Sequence, residues 1–197
     1  NVSAAEIGRK VANGDKTDTK GSKVTTGTSG YIVSQGDDKT WHYDFTLPVV
    51  CKGNNIDEIT YTVNRGSITL DSEETDKKSE TVSYKALPKD KLVSLDICGD
   101  SSSLSKSEQQ ILDKGLIPQA DMEQYKNAID ILLKDLKVTV KAKFNDGTTE
   151  EETINVNSKL CTSEELNDEQ RDDDIMLYND DLDSDEDDVY LSFEVEK

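Results

Sequence analysis

The chain has 197 residues, 33% of them hydrophobic, and a formal net charge of −19. That charge disfavours long-range attraction to nucleic acid or to anionic lipid, and no run of about 18 apolar residues is present to span a membrane. The apolar share is low for the length, so the core must be modest, enough for one domain with appendages. The charge is also uneven, because residues 161–197 alone hold 16 acidic and 2 basic side chains. The chain opens on Asn1 rather than Met, which predicts that an upstream piece has been removed, a signal peptide or a membrane anchor being candidates.

Ser3 and Glu6 stand at the spacing of a capping box, and Ala4, Ile7 and Val11 follow at helical intervals. A short helix over 4–12 is expected. Residues 13–30 are rich in Gly, Ser, Thr and Lys and read as a linker, with an edge strand around Val24 as the alternative. Tyr31 and Val33 suggest a strand. From Trp41 to Cys51 the apolar side chains fall on odd positions while His42, Asp44 and Thr46 fall on the other face. Pro48 cannot donate to a ladder, so that strand is expected to be an edge or to bend there. Alternation recurs at Ile59–Val63, Val82–Ala86 and Val93–Ile97, predicting strands near 57–64, 81–87 and 92–97.

The period then changes. Ser105-x-x-Glu108 is a capping box that opens a short helix stopping at Gly115. After Pro118, Met122, Tyr125, Ile129, Leu132 and Leu136 mark one face of a helix over 119–134. The clearest signal follows. Val138, Val140, Ala142 and Phe144 alternate with polar residues, Asn145-Asp146-Gly147 supplies a turn, and Ile154 and Val156 lie on the return strand. A last strand is expected over 189–195.

Many short strands with one or two helices between them predict a mostly β protein, an antiparallel β-sandwich. An α+β sheet with a helix on one face is the alternative. The organisation is an N-terminal helix and linker over 1–30 and one β-rich domain over 31–197, with a helical insert at 104–135 and an acidic loop at 171–188. Two segments, WHYDFTLPVVCKGNNIDEITYTVNRGSITL and KVTVKAKFNDGTTEEETINV, resemble exported Ig-like sandwich proteins of Gram-positive gut bacteria. The resemblance implies an Ig-like fold, export and often an N-terminal anchor, and it carries no site residues.

Candidate chemistry is sparse. His42 is the one histidine, so any Ser/His/Asp or Cys/His catalyst would have to use it. Cys51 lies on the opposite face of the same strand, which argues against a dyad between them. Cys51 should be buried as a small hydrophobe. Cys98 and Cys161 stand just past strand ends and are expected to form a disulfide worth roughly 4 kcal/mol. Asp181, Asp183 and Asp185 have the spacing with which calcium loops present oxygens. Glu186 replaces the glycine and Ser192 the final glutamate of an EF-hand, so the expectation is a solvated loop or a weak calcium site. No other cofactor is indicated, and there is no P-loop, GxSxG or HExxH motif. The Met122–Leu136 stripe is expected to pack on the sheet.

Three functional readings follow. The first is a non-catalytic secreted or cell-surface module with a structural, adhesive or ligand-binding role, whose partner is a protein or glycan at the cell surface. The second is a polysaccharide-acting enzyme using a carboxylate pair. The third is a cytosolic acidic interaction protein.

Overall fold

A computed structural model describes residues 4–8, 21–26, 31–70, 76–162, 165 and 188–196. The strands are β1 (Ala4–Gly8), β2 (Gly21–Thr26), β3 (Tyr31–Gln35), β4 (Trp41–Asn54), β5 (Ile56–Val63), β6 (Ser67–Thr69), β7 (Ser79–Ser83), β8 (Leu92–Asp100), β9 (Lys137–Phe144), β10 (Thr149–Cys161) and β11 (Asp188–Val195). Helices α1 (Lys106–Gly115) and α2 (Met122–Leu132) lie between β8 and β9. The protein is mostly β: two antiparallel sheets face each other as a sandwich with an inserted helical hairpin. The first sheet has the order β1-β2-β4-β8-β6 with β3 also on β4, and the second β11-β10-β9-β5-β7.

The core follows the period-two pattern. Phe45, Leu47 and Val49 of β4 and Leu95 and Ile97 of β8 face Tyr61 of β5, Val138 and Val140 of β9, Ile154 of β10 and Phe193 of β11, all buried. The two sheets meet ring to ring where Phe45 stacks on Phe193, centroids 5.8 Å apart. The 145–147 turn forms as its residues require. Gly147 takes φ 85°, and the Asp146 carboxylate accepts from the Thr148 amide (3.0 Å) and hydroxyl (2.6 Å).

The helical insert carries its own start signals. Ser105 and Glu108 form a reciprocal capping box (3.2 and 3.0 Å), and Asp121 and Gln124 form a second at α2 (2.8 and 3.3 Å). That second box starts α2 at Met122, later than the 119–134 expectation. Ile129, Leu132 and Leu136 of the apolar stripe are buried in the common core. Arg65, in the turn between β5 and β6, ties the hairpin down. Its guanidinium donates to the carbonyls of Lys134 (2.6 Å), Leu132 (2.9 Å) and Asp100 (3.3 Å), which caps the C-terminal end of α2.

Three expectations change. Residues 4–8 form a strand rather than part of a helix, and β1 pairs with β2, Ala4 opposite Thr25 through Gly8 opposite Gly21. A nine-residue helix has little stability of its own, so pairing overrides its local signal. Residues 21–26, within the expected linker, are β2, which lies on β4 with Val24 opposite Cys51. The strand expected over 81–87 ends at Ser83, and Tyr84–Ala86 turn as a 3-10 helix while the Tyr84 hydroxyl accepts from the Gly53 amide at 3.2 Å. Pro48 has its explanation in the neighbours of β4. On one side Pro48 pairs with Ser94; on the other, β3 stops at Phe45 and β2 begins at Val49. Among the described residues the proline stands in that gap, a local edge within a central strand.

Candidate functional site

The outward residues of the first sheet assemble the site. On β4 they are His42 and Asp44, on β8 Cys98 and Asp100, on β3 Ile32 and Ser34, and on β6 Ser67. The register sets them in two rows across the strands. Ser34 pairs with His42, and His42 with Asp100; Ile32 pairs with Asp44, Asp44 with Cys98, and Cys98 with Ser67. With Asp76 and Lys78, which approach from the segment leading into β7, they line an open groove of about 660 Å³. Lys78 is anchored there by donating to the Gly66 carbonyl at 3.0 Å.

The charged groups are fixed by their own turns. The Asp100 carboxylate accepts from the Ser102 hydroxyl (2.5 Å) and amide (2.9 Å), and these bonds hold its pKa below the usual carboxylate value. Asp38 is lowered likewise by the Thr40 hydroxyl and amide. Thr40 in turn lies 3.1 Å from His42 Nε2. Tyr43 lines the groove from beneath, and burial pushes its phenol up.

His42 is on the exposed face and Cys51 is buried on the other, as alternation predicts. Burial also pushes the Cys51 thiol up to about 12, which leaves it inert. The expected Cys98–Cys161 bond is not formed, because Cys98 is a thiol. Strand β8 runs on to Asp100, so Cys98 sits within the strand on the outer face of the first sheet, while Cys161 belongs to β10 of the second. The Cys161 side chain lies outside the described residues. So do Asp181, Asp183 and Asp185, the expected calcium ligands. Among the described residues no group of three or more His, Cys, Asp or Glu is placed to hold a metal ion.

Sequence reasoning missed that His42, Asp44, Cys98 and Asp100 share one face. The signal was present: Asp96, Cys98 and Asp100 alternate with Val93, Leu95 and Ile97 as His42 and Asp44 alternate with Tyr43 and Phe45. His42 and Cys98 are diagonal neighbours, at positions about 7–8 Å apart in a regular sheet, longer than the contact a nucleophile and its base require. The arrangement presents hydroxyls, carboxylates and an imidazole to solvent in rows. Compared with protein-family models, with curated proteins and with solved structures, the chain matches none. No helix among the described residues is long and apolar enough to cross a membrane.

Proposed function

We propose that this chain is a non-catalytic module of a bacterial protein, secreted or displayed at the cell surface, which binds a partner there through the outer face of its first sheet. The observation that carries the reading is the groove over β3, β4, β8 and β6, lined by polar side chains in two cross-strand rows. Those strands hold one another through backbone hydrogen bonds and expose their side chains as a broad platform. An Ig-like architecture and an N-terminal anchor belong to the same reading, on the strength of the resemblance given above. The test is protease treatment of intact cells that make the natural protein. Release of the module without lysis is the expected result, and protection until lysis overturns it.

A second reading, an acidic interaction protein of a reducing compartment, draws on one observation: Cys51 and Cys98 are both thiols, which an exported chain in an oxidising compartment does not require. The same experiment separates the two.

A further inference from the structure

An open strand edge runs along one side of the groove. Among the described residues β3 pairs with β4 on one side and with nothing on the other. The Gly36 amide donates to the Thr40 carbonyl at 2.9 Å, and this bond sets the alternation of the ladder. Gly36, Ser34 and Ile32 turn their main-chain groups towards β4, so Val33 and Gln35 turn theirs outwards. Among the described residues those outward amides and carbonyls have no hydrogen-bond partner. Neighbouring edges are in part occupied. Ile68 of β6 donates its amide to the Lys77 carbonyl at 2.8 Å. On β11 the Val189 and Phe193 carbonyls accept from the Tyr31 and Thr26 hydroxyls at 2.9 and 3.1 Å. Proteins commonly protect an exposed edge with lysine, proline or a bulge. The sequence of β3, YIVSQ, has none of these, and its register on β4 is regular. It carries two β-branched residues instead, of which Ile32 is 68% exposed.

Main-chain donors and acceptors at strand spacing select a peptide backbone, which can add to the sheet as a further strand. The groove then selects its side chains. Every second residue of an added strand projects on the outer face, in line with Ile32 and Asp44, which pair across β3 and β4. Such a side chain meets Ile32 first and Asp44 next, two strand spacings or about 10 Å from its own strand. A lysine fits that path, because its methylene stem covers Ile32 and its ammonium reaches the carboxylate. Asp44 is exposed and makes no ion pair among the described residues. Asp76 and Asp100 extend the negative charge along the groove, and Lys78 there already donates to the Gly66 carbonyl. Asp37 and Asp38 are exposed on the turn just beyond Gln35, beside Lys39. Together these carboxylates attract a basic segment and repel an acidic one.

We propose that β3 binds an extended, lysine-bearing peptide segment of a partner protein, which adds as a strand at Val33 and Gln35 and sets a lysine over Ile32 onto Asp44. The proposal rests on the reading of the protein as a surface binding module and names its partner's chemistry. The experiment uses the whole chain and three short labelled peptides, followed by fluorescence anisotropy. One alternates threonine and lysine, one alternates threonine and glutamate, and one is the lysine peptide with every threonine N-methylated. N-methylation removes the amides that face β3 and keeps the charge. The lysine peptide binds, and the other two do not. Amide exchange followed by NMR locates the contact: the Val33 and Gln35 amides exchange freely in the free protein and become protected with the lysine peptide. Val33→Pro abolishes binding while Ser34, which faces β4, stays protected, because only an outward amide is lost. The N-methylated peptide puts the same question to the unaltered protein. Asp44→Asn weakens binding about two- to fivefold, the range of one exposed ion pair. The proposal is overturned if the lysine peptide fails to bind, or if the N-methylated or the glutamate peptide binds as tightly. It is also overturned if Val33→Pro binds like the wild type, or if protection appears on β7, the open edge of the second sheet, instead. If no peptide binds while protease still releases the module from intact cells, the surface-module reading stands and the peptide partner falls.

Discussion

Arg65 offers a test of how the helical hairpin is fastened to the sandwich. Its guanidinium bridges the carbonyls of Leu132 and Lys134, at the C-terminal end of α2, to the carbonyl of Asp100, at the end of β8. The substitution Arg65→Met keeps the hydrocarbon stem and removes every donor. A hydrogen bond from a charged donor contributes about 1.5–3 kcal/mol, and a cation at a helix C-terminus about 0.3–1 kcal/mol. Water can reach the Lys134 carbonyl, where the bond is exposed, and replaces part of that loss. The Leu132 bond is half-buried and is replaced less well. The net cost is then about 2 kcal/mol, which for a chain of this size lowers Tm by about 4–8 °C. Arg65→Lys recovers little, because one ammonium cannot span three carbonyls with the geometry of a planar fork. Urea unfolding followed by circular dichroism measures the cost, with an unchanged m-value showing that the native and unfolded states have kept their compactness. A loss below about 0.5 kcal/mol for Arg65→Met, within the range of an ordinary surface substitution, would refute the argument that these bonds hold the hairpin.

Gly99→Ala should destabilise by about 1–3 kcal/mol in the same assay, because the added methyl meets the rigid Tyr43 ring and hydroxyl; a neutral result would mean that the ring moves freely. Native alkylation with iodoacetamide, read by peptide mass spectrometry, should modify half-buried Cys98 and spare Cys51, which is fully buried, until the protein is unfolded. Acid stability should respond to Glu108, whose pKa is lowered by the Ser105 amide and hydroxyl and by Lys134. A carboxylate with a depressed folded pKa stabilises above its unfolded value of 4.5, and that contribution is lost as pH falls through the folded value. Glu108→Gln should therefore melt below the wild type at pH 7 and approach it as pH falls below about 4; a pH-independent difference would show that ionisation of Glu108 contributes nothing.

Much of this fold was legible because its strong elements alternate cleanly. Trp41 to Cys51 and Val138 to Phe144 declare a buried face without help from their neighbours, and the Ser105–Glu108 capping box and an apolar stripe declare the helices. β1 and β2 were less legible because their evidence is non-local: residues 13–30 allow a linker or an edge strand around Val24, and it is the pairing of Val24 opposite Cys51 that decides for the strand. Cys98 was misplaced by ending β8 too early. The groove was the least legible feature. His42 is next to Asp100 only after β4 and β8 pair, and the Tyr43 ring lies across residue 99 only because that residue lacks a side chain. Sequence pattern gives which face each residue takes, whereas a site requires knowing which strands lie side by side.

The most direct test of the account asks which face of the sandwich does the binding. Beads coated with the whole chain are scored for attachment to intact cells that make the natural protein, using the wild type, a groove variant (His42→Ala with Asp44→Ala) and a variant of the opposite sheet's outer face (Thr60→Ala with Thr62→Ala). Among the described residues the Thr60 and Thr62 hydroxyls bond within their own sheet, to Thr81 and Ser79 at 2.8 and 3.0 Å. The account predicts attachment by the wild type and by the Thr60/Thr62 variant, and loss of attachment by the His42/Asp44 variant while its Tm is unchanged. Attachment that survives the groove substitutions, or that is lost with the Thr60/Thr62 pair instead, would contradict it.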